Sequence, residues 1–154
     1  EPVLVCIQLP VFHLLKSLNQ LKANNNISST VVLHRSRSGL NEIQSFLEGN
    51  GYDTQILLDS GEIDFERESI KICTLSSVKG LEFDNVFIID LNDDILPYPP
   101  GFNGEDDELH ISTERRLLYT SMTRARERLY LLSSGEPSRY LTEIDENLLV
   151  KADN

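Results

Sequence analysis

Short apolar runs that do not alternate with polar residues restrict this chain most. Pro2 to Leu9, Val31-Val32-Leu33, Val86 to Asp90 and Leu129 to Leu132 are mostly apolar and rich in branched side chains. A sheet made of such strands needs cover on both faces. Segments with helical spacing lie between them. Pro10 suits the first turn of a helix, and Phe12, Leu15, Leu18 and Leu21 follow at helical intervals until the run Asn24-Asn25-Asn26. Leu40, Ile43, Phe46 and Leu47 mark a second helix, stopped by Gly49-Asn50-Gly51. Tyr52 to Leu58 and Ile70 to Thr74 are expected as further strands, with a turn at residues 59–62 between them. The alternation predicts an α/β fold with a mainly parallel sheet, helices on both faces and right-handed crossovers. Ligands of such sheets gather at strand carboxyl ends, where the loops around Arg35 and Lys79-Gly80 are expected to fall.

Two blocks carry the most specific local signals. The first, Thr74-Leu75-Ser76-Ser77-Val78-Lys79-Gly80-Leu81-Glu82-Phe83-Asp84, reads as strand, loop, strand. Gly80 permits a positive φ and lets a ligand approach the backbone, and Glu82 can aim a carboxylate at hydroxyl groups. The second, Thr113-Glu114-Arg115-Arg116-Leu117-Leu118-Tyr119-Thr120-Ser121-Met122-Thr123-Arg124-Ala125-Arg126, reads as a capped helix with Leu118, Met122 and Ala125 on its apolar side. Arg124 falls near the edge of that side. A half-solvated guanidinium there suits a phosphate or carboxylate presented by a neighbouring surface.

Together these blocks resemble helicase motifs V and VI of the UvrD/Rep family of superfamily 1, in the family's order and with its acidic connector between them. The resemblance covers about Val31 to Leu132, and it implies the C-terminal, second RecA-like lobe of a two-lobe ATP-driven DNA helicase with 3′ to 5′ polarity. It implies that Arg124 is the motif VI arginine reaching the γ-phosphate, that Glu82 contacts the ribose and that Gly80 belongs to the same ATP-binding set. The loop His34-Arg35-Ser36-Arg37-Ser38-Gly39 resembles motif IVa, so Arg35, Ser36 and Arg37, with Thr74, Ser76 and Lys79 of motif V, are implied contacts to single-stranded or partly duplex DNA. Ser76 stands where the family usually has His, which weakens that contact. The large subdomain many members carry between motifs IVa and V is missing here. Alternatives remain beside these roles: an ion pair within the lobe for Arg124, a surface carboxylate for Glu82, and surface arginines at a helix entry for Arg35 and Arg37.

Composition narrows the function classes. No Gly-x-x-x-x-Gly-Lys-[Ser/Thr] loop occurs, and no acidic pair ends an apolar strand, so Walker A and Walker B elements are lacking. ATP with Mg2+ would then be held mainly by an N-terminal RecA-like lobe of the same protein, with this lobe inactive alone. A net charge of −11 argues against strong nucleic-acid binding by this piece by itself. No apolar run suits a membrane span, and neither a signal peptide nor a location outside the cytoplasm is expected. Cys6 and Cys73 sit in strand-like runs as buried thiols, and the three histidines show no ligand spacing, so no metal site is expected. The whole of 1–154 reads as one lobe. Residues 92–112 form an exposed, mobile acidic Pro/Gly connector, Pro137 to Ile144 a short helix, and 146–154 a tail that frays. A rival reading of a different class is a helicase-like scaffold or regulatory protein-binding domain without motor activity.

Overall fold

The computed structural model describes residues 3–7, 10–57, 63–99 and 108–151, in which strand and helix alternate to build one seven-stranded sheet. The elements are β1 (Val3–Ile7), α1 (Pro10–Ala23), β2 (Thr30–His34), α2 (Arg37–Gly49), β3 (Thr54–Ile56), β4 (Ile70–Thr74), β5 (Phe83–Ile88), α3 (Glu108–Met122), β6 (Ala125–Leu132) and β7 (Leu149–Lys151). Short 3-10 turns occupy Arg139–Glu143 and Glu146–Leu148. The strand order is β3-β4-β2-β5-β6-β1-β7, and neighbouring strands pair in parallel.

Cover on both faces explains the lack of alternation. Every residue of β2 and of β4 is buried. On one face, α1 and α2 set Leu18, Leu21, Leu40 and Leu47 against Val32 and Ile72. On the other, Leu118 of α3 and Tyr140 of the first 3-10 turn pack over Val31, Leu33, Val86 and Leu129. Each such aliphatic side chain contributes about 1.5–3 kcal/mol through burial. Phe87 and Tyr130, partners in the β5–β6 register, stack with ring centroids 4.1 Å apart and lock that pairing. Cys73 is buried among these residues, and burial pushes its thiol up to about 12, so it stays a protonated apolar filler.

Several boundaries differ from the expectations. In α1, Leu14 joins Leu18 and Leu21 in the core, an i, i+4, i+7 set, and the expected Leu15 packs against it half-buried. The second motif block is divided: α3 starts at Glu108 and ends at Met122, and Ala125 already belongs to β6. Thr113 is therefore inside the helix, where its hydroxyl donates to the Leu109 carbonyl (2.7 Å), and residues 108–112 of the expected connector are helical. The start of that connector is packed rather than exposed. Leu96 is fully buried, and the Asn92 carboxamide oxygen accepts from the Ser134 and Gly135 backbone N–H groups. Within the expected tail, residues 149–151 extend the sheet beside β1. The expected turn at 59–62 and the acidic cluster at 105–107 lie outside the described residues.

Candidate functional site

In a parallel sheet every strand starts at the same edge. Residues preceding β2, β5 and β6 therefore meet at the amino edge, and those following β2, β4 and β5 meet at the carboxyl edge. The connection from β4 to β5 joins the two. It leaves the carboxyl end of β4 at Thr74, crosses the sheet with Leu75 and Val78 buried in the core, and reaches the amino end of β5 at Gly80, Leu81 and Glu82. This corrects the expected position of the Lys79-Gly80 loop. Crossing an intervening strand in so few residues carries the chain to the opposite edge from Arg35. Gly80 has the expected positive φ, +80°.

At the amino edge, Ser29, Phe65, Gly80, Leu81, Glu82, Arg124 and Arg126 line one open cleft of about 520 Å³. Arg124 stands not on the helix edge but in the turn between α3 and β6. Its carbonyl accepts from the Phe83 N–H (2.9 Å), which ties this turn to the start of β5. The half-buried Arg124 side chain donates from Nε to the Thr120 carbonyl (3.2 Å) and from Nη2 to the Thr123 hydroxyl (3.2 Å). Both acceptors are neutral, and one is a last-turn carbonyl of α3, where a cation is favoured. Nearby arginines are neutralised: Arg115 pairs with Glu143 (2.9 Å), Arg126 with Asp84 (2.9 Å) and Arg128 more loosely with Glu127 (3.7 Å). Among the described residues no carboxylate pairs with Arg124, which thus brings a positive charge to the cleft, and Glu82 brings an exposed carboxylate.

Below the cleft, Lys71 of β4 is fully buried, and its Nζ donates to the carbonyls of Ser28 (2.6 Å), Ser69 (3.0 Å) and Arg67 (3.2 Å). Burial lowers its pKa, and the nearby Asp64 and Asp53 charges offset this only in part. Those bonds hold the segments that carry Ser29 and Phe65. The Phe65 ring lies 5.7 Å from Phe83 and 5.8 Å from the Lys71 ammonium.

At the carboxyl edge, the Leu75 N–H donates to the His34 carbonyl (3.1 Å) and joins the two loops there. Arg35, Ser36, Arg37, Thr74 and Ser76 consequently gather on that side. Arg35 forms a fork with Glu114 of α3, both bonds 2.7 Å, and its guanidinium lies 4.8 Å over the Tyr98 ring. Glu114 is 4% exposed and also accepts the Tyr98 N–H (2.9 Å). Burial alone would raise the Glu114 pKa, but these donors and the Arg35 charge outweigh it and hold the carboxyl below its usual range. Thr74 is buried, with its hydroxyl donating to Ser77 (2.9 Å), whereas Ser76, Arg37 and Lys79 are exposed. Lys79 lies on the crossing turn. The loop is keyed to His34, whose Nδ1 accepts the Ser36 N–H (2.9 Å) and whose Nε2 lies 3.0 Å from Asp90.

Sequence patterns did not point to Phe65, to Glu114 as the Arg35 partner, or to His34. A lone aromatic between Asp64 and Glu66 was the one available signal for Phe65. The pairing of Arg35 with Glu114 left none, since 79 positions separate them. Among the described residues, no cluster of His, Cys, Asp and Glu could hold a metal, and no helix is long and apolar enough to cross a membrane.

Comparison with known proteins bears on the family and the fold. The family model of the UvrD-like helicase C-terminal domain matches residues 53–136. The chain is 36% identical over 108 residues to the ATP-dependent DNA helicase PcrA of Staphylococcus aureus, and 35% identical over 108 residues to that of Staphylococcus epidermidis. Each match covers 63% of this chain but only 14% of the relative. Among solved structures, the C-terminal domain of a possible DNA helicase from Lactobacillus plantarum WCFS1 matches with a TM-score of 0.73 at 19% identity, over 99% of this chain and 85% of that one. The C-terminal domain of the DEAD-box protein Dbp5 matches with a TM-score of 0.56 at 13% identity, over 97% and 89%. The expected RecA-like architecture is the one these domains share.

Proposed function

The chain belongs to the UvrD-like helicase C-terminal domain family, and from that premise we propose that it is the second motor lobe of an ATP-dependent DNA helicase. In this reading it lends groups to a nucleotide bound between itself and an N-terminal RecA-like lobe. The observation that carries the proposal is the convergence of Gly80, Glu82 and Arg124 on the amino-edge cleft, with Arg124 free of any carboxylate partner among the described residues.

Arg124 acts as the arginine finger. Its charge meets the γ-phosphate only when the lobes close, so hydrolysis waits for closure. Glu82 accepts hydrogen bonds from the ribose hydroxyls, and Gly80 lets the nucleotide approach the backbone. Magnesium is assigned to the other lobe. The carboxyl edge serves as part of the track for single-stranded DNA. Arg37 and Ser76 present exposed groups to the strand, Ser36 and Thr74 shape the loops that carry them, and Arg35 contacts DNA from within its Glu114 fork. Closing and reopening the cleft moves this edge relative to the partner lobe, which advances the strand.

Arg124→Ala in the protein containing both lobes tests this directly. ATP turnover should fall by roughly 10³-fold or more with the folded state intact. Unchanged turnover would remove the finger and, with it, the proposal.

A further inference from the structure

A nucleotide in the amino-edge cleft still has two ways to lie, and Phe65 distinguishes them. Phe65 is 43% exposed. It is also well supported, with the Phe83 ring at 5.7 Å, tilted by 44°, and the buried Lys71 ammonium at 5.8 Å from its centroid. The cleft changes chemistry along its length because the sheet orders the segments that line it. Phe65 precedes β4, the Leu81-Glu82 pair precedes β5, and Arg124 precedes β6, and these strands follow that order across the sheet with β2 between β4 and β5. The lining therefore runs from an aromatic and an aliphatic surface, through a carboxylate, to the Arg124 guanidinium. Arg126 does not compete for the cationic end, since Asp84 and the Ser29 hydroxyl hold it.

A nucleoside triphosphate has the same sequence of chemistries: a flat base, a sugar with two hydroxyls, and a chain of phosphates. We infer that Phe65 is the surface on which the base stacks, with the ribose at Glu82 and the phosphates directed toward Arg124. This rests on the proposed nucleotide cleft and adds a specificity residue to it. Stacking on an exposed phenyl is tolerant of base identity and strongest for the largest ring systems, so purine nucleotides should be favoured over pyrimidine nucleotides.

The test is steady-state ATP hydrolysis by the protein containing both lobes. Phe65→Ala should raise KM for ATP about tenfold with kcat little changed, and Phe65→Tyr should restore KM. Phe65→Leu, which keeps apolar bulk but no aromatic face, should behave more like Ala than like Tyr. Inhibition by inorganic tripolyphosphate, which has no base, should be the same for all variants. If Phe65→Ala leaves KM for ATP unchanged while Arg124→Ala abolishes turnover, the stacking assignment is wrong and the cleft stands. If Phe65→Ala weakens tripolyphosphate as much as ATP, the residue only props the cleft and the assignment is again overturned. If Arg124→Ala also leaves turnover intact, the cleft itself has been misassigned.

Discussion

At the scale of single residues, Gly39 shows how tightly the carboxyl-edge loop is built. A Cβ there would lie 2.4 Å from two atoms of the His34 imidazole. That ring is 5% exposed and is held by the Ser36 N–H and Asp90, so it has little freedom to yield. Gly39→Ala should therefore cost about 1–3 kcal/mol, as overpacking does, read as a drop in thermal midpoint of about 2–4 °C per kcal/mol. Gly49 provides the contrast. A Cβ added there would meet nothing within 4 Å, and the residue ends α2, so Gly49→Ala should leave stability unchanged or raise it by up to about 1 kcal/mol. Equal effects at the two sites would show that the His34 ring moves aside easily.

Among the elements, α3 links the two candidate edges of the sheet. Its fifteen residues carry Glu114 toward the Arg35 loop at one edge, and its last turn supplies the Thr120 carbonyl that holds Arg124 at the other. The Arg35–Glu114 fork lies between an exposed and a buried pair, with side chains 22% and 5% exposed. Arg35→Ala should cost about 2 kcal/mol, between the small value of surface pairs and the 3–5 kcal/mol of buried ones. The pH dependence has a definite sign. Because the Glu114 pKa is held down in the folded state, the fork contributes above the ordinary carboxylate pKa of about 4.3 and is lost as pH falls through the lower folded value. Urea titrations of the wild type and Arg35→Ala should thus differ at pH 7 and converge only once pH has fallen below the lowered folded pKa of Glu114. A difference that survives acidification would mean Arg35 stabilises by packing on Tyr98 instead.

For the molecule as a whole, the balance of charge limits how it can hold an anionic strand. With a net charge of −11, only a local patch can offset repulsion. If the carboxyl edge is the track, Arg35 and Arg37 account for about one or two phosphates, and binding of single-stranded DNA should show a log–log salt slope of about −1. A slope several times steeper would point to basic residues elsewhere. The fold class was legible in the chain because it rests on local regularity: runs without alternation require two covered faces, helical spacing marks the cover, and Gly80 after Lys79 marks a turn of positive φ. The same holds for the two motif blocks, whose side chains are contiguous in sequence. Tertiary structure alone decided where those side chains act. Only the parallel stacking of β2, β5 and β6 brings Gly80, Glu82 and Arg124 to one edge, only the short crossing from β4 separates them from Arg35, and only folding pairs Arg35 with Glu114 or sets Phe65 beside Phe83. Periodicity is written by neighbours along the chain, whereas a cleft is made by residues whose meeting depends on the order and direction of every strand between them.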